Sequence, residues 1–237
     1  MPTIEFIPTD DYGAKVFDPP LPAAEFLPDW YKQQERWAYD KPNTFGSEGL
    51  ANLTVRACMP VFDMLTAGYI LPCQTDINVH LSDDTGEHVM SWPTNLMPMI
   101  GTHSLAQVSK FPIDFSIWQP QLYKFQHNWI VKTPKGYSTL FTHPFWRGDT
   151  PFYTLPAIVD TDKHPRVINF PFLIKRDWFG VIDCGTPVVQ MIPFKRENWD
   201  HKTHYKISES LNTAWDRMMK YSLNRYKEHV RSIKIWK

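Results

Sequence analysis

Between Asn128 and Phe194, short apolar runs are separated by Gly and Pro at intervals that predict an all-β domain. Asn128–Lys132 reads as a strand, Thr133-Pro134-Lys135-Gly136 as a tight turn and Tyr137–Thr142 as the strand returning from it in a hairpin. Phe152–Asp160, Arg166–Lys175 and Thr186–Ile192 each predict one more strand. Pro171 has no N–H for a ladder, which assigns its strand to a sheet edge or a bulge. Upstream, polar and apolar residues alternate from Asp76 to Leu81 as in a half-buried strand. The turn-forming run Ser82-Asp83-Asp84-Thr85-Gly86 would fold that strand back onto the segment beginning at His88. Pro60 opens and Gly68 ends a short helical turn, which we expect to lie between two strands. From Pro93 to Gln126, Pro93, Pro98, Pro112 and Pro120 break the pattern, and no element is assigned there.

The two ends differ from this middle. Pro2, Pro8, Pro19, Pro20, Pro22, Pro28 and Pro42 predict an extended arm over residues 1–50. Its aromatic residues, among them Phe6, Phe17, Trp30 and Trp37, make it too apolar for a free tail, so it should lie along the domain or a neighbouring subunit. Asp29 is placed to cap a short helix, and residues 43–50 read as a loop. After Pro193 there is no proline, and Ser208 or Ser210 begins a run in which Leu211, Trp215, Leu223, Tyr226, Val230 and Ile233 recur at helical spacing. The predicted organisation is an arm over 1–50, a β domain over 51–195 and an amphipathic helical extension over 196–237.

Composition narrows the classes. A chain of 237 residues with 43% hydrophobic and 21% charged residues can bury a sizeable core. A formal net charge of +0 provides no global field for nucleic acid or anionic lipid, so nucleic acid is not the expected partner. No apolar run approaches the roughly 20 residues that cross a bilayer, and the N-terminus lacks the pattern of a signal peptide. The expectation is a cytoplasmic protein without a membrane partner. Cys58, Cys73 and Cys184 suggest neither a disulfide framework nor a thiolate zinc site, and the histidines form no recognisable metal spacing. Of the 10 tryptophans many lie in the two end segments, among them Trp30, Trp37, Trp199, Trp215 and Trp236, which favours subunit contacts.

Two groups carry candidate chemistry. Asp160 and Asp162 flank Thr161 at a strand end, where paired carboxylates suit a hydrated Mg²⁺ near a phosphate, or alternatively cap the backbone donors of a turn. Lys135, Gly136 and Ser138 combine a charge, a backbone N–H and a hydroxyl, which suits a phosphate but serves a plain hairpin equally well.

Four segments, in order, resemble motifs of the trimeric all-β dUTPase and dCTP deaminase superfamily. Thr66-Ala67-Gly68-Tyr69-Ile70-Leu71 is similar to its Ala-Gly-Tyr-Asp-Leu motif, and Thr133-Pro134-Lys135-Gly136-Tyr137-Ser138 lies where its phosphate-binding motif would be. Ala157-Ile158-Val159-Asp160-Thr161-Asp162 resembles the Gly-Val-Ile-Asp motif, and Gly185-Thr186-Pro187-Val188-Val189-Gln190 the segment before the last barrel strand. The resemblance implies a mainly β fold, a distorted β-clip barrel over 51–195, a homotrimer and a nucleotide ligand. It further implies a Mg²⁺-dependent nucleoside triphosphate pyrophosphatase, with Asp160 and Asp162 catalytic and Lys135, Gly136, Ser138 and Gln190 binding the nucleotide. The chain departs from the family at Ile70, at Lys135 and at Lys163, which stands where an aromatic residue stacks on the sugar. It also resembles uncharacterised proteins of tailed phages through Pro28-Asp29-Trp30, Cys58–Asp63, Ala67-Gly68-Tyr69, Thr133–Ser138, Val159–Asp162 and Gly185–Glu197. That likeness implies a host cytoplasm and leaves a second possibility, a catalytically inactive structural or interaction protein on the same barrel.

Overall fold

A computed structural model of the chain describes residues 1–38, 53–83, 87–93, 98–206, 208–214 and 226–237. Among them no helix is long and apolar enough to cross a membrane. The chain divides into two compact units, one of Met1–Phe26 with Ala67–Arg196 and the other of Leu27–Thr66 with Glu197–Lys237.

The first unit holds the strands, and the mainly β expectation is met. In chain order they are β1 (Glu5–Pro8), β2 (Leu21–Pro22), β3 (Tyr69–Pro72), β4 (Ile77–Leu81), β5 (His88–Ser91), β6 (Ile100–His103) and β7 (Leu122–Phe125). They continue with β8 (Trp129–Lys132), β9 (Tyr137–Thr142), β10 (Phe152–Thr154), β11 (Ala157–Val159), β12 (Phe170–Ile174), β13 (Gly180–Ile182) and β14 (Pro187–Lys195). They form four antiparallel sheets, ordered β11-β9-β14-β3-β2, β10-β12-β7-β6, β13-β4-β5 and β1-β8. The two larger sheets meet where Phe141 of β9 contacts Phe170 of β12, with ring centroids 5.2 Å apart. On β7, β10 and β12, Phe125 stacks on Phe172 at 3.9 Å and meets Phe152 edge-on at 5.2 Å. Each of these sheets ends in edge strands, so the barrel is not closed.

The predicted β4–β5 hairpin is present, with Leu81 opposite His88. Its turn lies partly outside the described residues. The predicted hairpin across Thr133–Gly136 is not formed. β8 pairs with β1, and β9 lies between β11 and β14, so this turn connects two sheets. Phe152–Asp160 is two strands in different sheets, divided at Leu155-Pro156. Pro171 occupies an interior strand, not an edge. The Pro171 carbonyl accepts from the Leu155 N–H (2.8 Å), just past the end of β10. The N and C=O of one strand residue point the same way, so the missing N–H also faces the end of β10, and no ladder bond to β7 is lost.

The proline-rich beginning is partly regular. Phe6 pairs with Val131, and Leu21 with Ile70, which places both segments in sheets of the first unit. Between them α1 (Asp11–Val16) is capped by Asp10, whose Oδ1 accepts from the Gly13 N–H at 2.6 Å. Gly68 has φ of 70°, and a Cβ there would lie 1.9 Å from the Met191 carbonyl oxygen.

In the second unit α2 (Asp29–Gln33) has Pro28, not Asp29, at its N-cap, and Asp29 pairs with Lys32 at 3.2 Å. The strand expected before Pro60 is instead a 3₁₀ turn, Val55–Ala57, followed by α3 (Met59–Leu65). The buried Tyr31 ring lies under the Arg56 guanidinium at 4.6 Å. Asp63 accepts from Arg231 Nη2 at 2.6 Å and from Lys234 Nζ at 2.9 Å. Residues 209–214 are helical and Tyr226–Val230 form a π-helical turn. The rest of the predicted C-terminal helix up to residue 225, and the predicted loop 43–50, lie outside the described residues. The helix does not continue to Ile233, because residues 231–237 have no regular structure and Arg231 and Lys234 converge on the Asp63 carboxylate.

Candidate functional site

β9 gathers the candidate residues because it is paired on both sides. On one side Val159 of β11 lies opposite Thr139, so the chain leaving β11 passes beside the start of β9. On the other, Phe194 and Lys195 of β14 lie opposite Ser138 and Tyr137, which delivers Arg196 to the same place. The Thr133–Tyr137 turn, the Asp160–Lys163 turn and the end of β14 therefore converge.

Beneath the carboxylates is a buried hydroxyl network. Thr161 Oγ1 lies 2.7 Å from Thr133 Oγ1 and 2.9 Å from Thr139 Oγ1. Thr161 holds its two flanking aspartates on a turn closed by N–H donation from Lys163 and His164 to the Asp160 carbonyl, each 2.9 Å.

Asp162 is only 3% exposed at its side chain. The Gly136 N–H donates to Oδ2 at 2.8 Å, and Arg196 donates through Nη1 to Oδ1 at 2.9 Å and through Nη2 to Oδ2. Hydrogen bonding from Arg196, then from Gly136, holds this carboxyl far below the usual carboxylate range. The same bond raises the Arg196 pKa. Arg196 Nη1 also donates to the Tyr137 carbonyl at 2.7 Å, and the Arg196 N–H to the Gly136 carbonyl at 2.8 Å. The end of the Thr133–Tyr137 turn and Asp162 of the Asp160–Lys163 turn are therefore bound to one residue.

Asp160 is 49% exposed at its side chain. Its Oδ1 accepts from Ser138 Oγ at 2.7 Å and lies 3.2 Å from Arg196 Nη1, while Oδ2 lies 3.9 Å from Lys163 Nζ. Lys135 is exposed at the turn. The structure thus brings Asp160, Asp162, Gly136 and Ser138 together, with Lys135 on the same turn. Gln190 is elsewhere: it lies four residues before Phe194 on β14, about 13 Å along the strand. Its amide is buried, donating to the Ala67 carbonyl at 2.7 Å and accepting from the Phe145 N–H at 3.1 Å, and so serves the backbone.

The geometry does not fit Mg²⁺. A divalent ion needs carboxylate oxygens turned toward it. Both Asp162 oxygens accept from Arg196, and the two Asp160 oxygens face Arg196 and Lys163, which would repel it. Among the described residues no group of three or more His, Cys, Asp or Glu is placed to hold a metal.

Arg196 is the residue that sequence reasoning did not assign to the site. In the sequence it stands in Lys195-Arg196-Glu197, which reads as a basic patch. Only the β9–β14 register reveals its place.

No family model, characterised protein or solved structure matches this chain.

Proposed function

We propose that the chain is a catalytically inert interaction protein, phage-encoded, which assembles with further copies of itself. The observation that carries this reading is internal saturation of the candidate site. The two donors that would hold a phosphate, the Gly136 N–H and the Ser138 hydroxyl, are given to Asp162 and Asp160. Arg196 completes the closure. In this reading the chemistry of the turn is a structural fastening, because the two carboxylates engage backbone and side-chain donors of the protein itself.

Apolar surface supports the assembly half of the reading. Ile158, on the edge strand β11, is 63% exposed. In the second unit Trp199 is 87% and Tyr205 94% exposed. Aromatic side chains so placed are the residue types that anchor interfaces. Sedimentation velocity tests it: the reading expects a mass that is a multiple of 27.8 kDa, and a strict monomer at micromolar concentration would overturn it.

A second reading, a nucleotide-binding protein of dUTPase-like type, is favoured by the cation Lys163 beside the half-exposed Asp160 and by the exposed Lys135 on the adjoining turn. It expects pyrophosphate release from a deoxynucleoside triphosphate, abolished by Asp160→Ala.

A further inference from the structure

Away from the fastened turn, the first unit contains an open cavity of about 760 Å³, within the size range of small-molecule sites. Its lining includes His88, Gln119, Gln121, Tyr123, Asp177 and Phe179. The hydrogen bonds of these residues determine what the cavity can recognise.

Gln119 Nε2 donates to the Arg176 carbonyl at 2.6 Å and to His88 Nε2 at 3.0 Å. Gln121 Nε2 donates to the carbonyls of His103 at 3.0 Å and Leu122 at 3.1 Å. Both amide NH₂ groups are thus engaged by the protein, and each amide presents its carbonyl oxygen as an acceptor. Because Gln119 Nε2 donates to His88 Nε2, the ring proton lies on Nδ1. Burial lowers the His88 pKa, so the ring adds no charge at neutral pH. Arg176, also on the lining, directs Nη1 to the Phe115 carbonyl at 2.9 Å.

The remaining features favour positive charge. The carboxylate residues Asp177 and Glu87 are on the same lining as His88 and Tyr123. Among the described lining residues, Glu87 and Asp177 carry negative charge and Arg176 positive charge. The Phe179 ring stacks on His88 at 4.7 Å and is 45% exposed, which leaves an aromatic face to meet a cation.

We infer that this cavity binds a small organic ammonium ion, a protonated primary or secondary amine, whose N–H groups donate to the Gln119 and Gln121 carbonyl oxygens while its charge lies against Phe179 and the Asp177 carboxylate. The amine must carry N–H donors, since the glutamines offer acceptors that a quaternary ammonium cannot use. The site is independent of the Asp160 turn and of self-assembly.

Isothermal titration of the full chain at pH 7 with benzylammonium, benzoate and benzyltrimethylammonium tests this. The expected result is saturable, equimolar binding of benzylammonium, weaker binding of the quaternary analogue and none of benzoate. Phe179→Leu and Asp177→Asn alter exposed side chains and should leave the thermal midpoint near its original value, while each weakens benzylammonium binding by about threefold or more. Absence of benzylammonium binding, equal binding of benzoate or of the quaternary analogue, or unchanged affinity in both folded variants would overturn the inference.

Discussion

Arg196 and Asp162 are 34 residues apart in sequence and meet through two parallel hydrogen bonds, fork to fork. Because Arg196 also binds the Tyr137 carbonyl, cutting this pair releases both turns. Asp162→Asn and Arg196→Gln should each lower Tm by several degrees, and the double variant should lower it little further, because both remove the same link. Full additivity in a thermal double-mutant cycle would show that the two residues act separately.

The same pair predicts a pH dependence. The folded-state pKa of Asp162 is depressed, so its contribution is present above the unfolded value near ~3.9 and is lost as pH falls below it. The Tm difference between the wild type and Asp162→Asn should therefore be largest near neutral pH and shrink below pH ~4. A constant difference across that range would contradict the ion pair.

His127 acts in a higher pH window. Its Nδ1 accepts from the Trp129 N–H at 3.1 Å and its Nε2 donates to the Ile168 carbonyl at 2.8 Å, so the buried ring is neutral. Burial pushes its pKa down to about 4. The unfolded chain takes up this proton first, so stability is complete above about pH 6.5 and is lost as pH falls toward 4, by about 3 kcal/mol over the window. Urea unfolding at stepped pH measures the loss, and an NMR titration of His127 near pH 6.5 would exclude it.

Gly68 and Gly136 separate two costs of a side chain. Both have positive φ, 70° and 89°, but a Cβ on Gly68 would strike the Met191 carbonyl whereas nothing lies within 4 Å of one on Gly136. Gly136→Ala should cost about 1–2 kcal/mol, the conformational term alone. Gly68→Ala should cost clearly more, since β14 backbone must also move. Equal losses by chemical denaturation would contradict this packing.

The C-terminal segment should depend on one carboxylate. Arg231 stacks on Phe62 at 5.5 Å and, with Lys234, binds Asp63. Asp63→Asn should speed amide exchange in residues 226–237 while leaving the strands of the first unit unchanged. Unaltered exchange there would show that the segment is held otherwise.

Much of the β pattern was legible because alternation and turn residues report on local backbone, as in Ile77–Leu81 and Tyr137–Thr142. Pairing was not. Whether β8 returns along β9 or joins β1 depends on which distant strand covers its edge, and Thr133–Gly136 carries the residues of a tight turn in either case. β6 and β7 were missed because prolines surround them and each has only four residues. Asp160, Asp162, Gly136 and Ser138 were selected by residue type, and they do meet. What they do there was hidden, because a carboxylate in a sequence does not reveal whether an arginine beyond a later strand will reach it.

The central claim is that the Gly136 N–H, the Ser138 hydroxyl and Arg196 are engaged by the protein's own aspartates and do not receive a phosphate. A thermal-shift titration of the wild-type chain with deoxynucleoside triphosphates and Mg²⁺ tests it most directly. The account predicts no saturable rise in Tm with any nucleotide. A saturable rise with one of them, lost in Lys135→Ala, would contradict it.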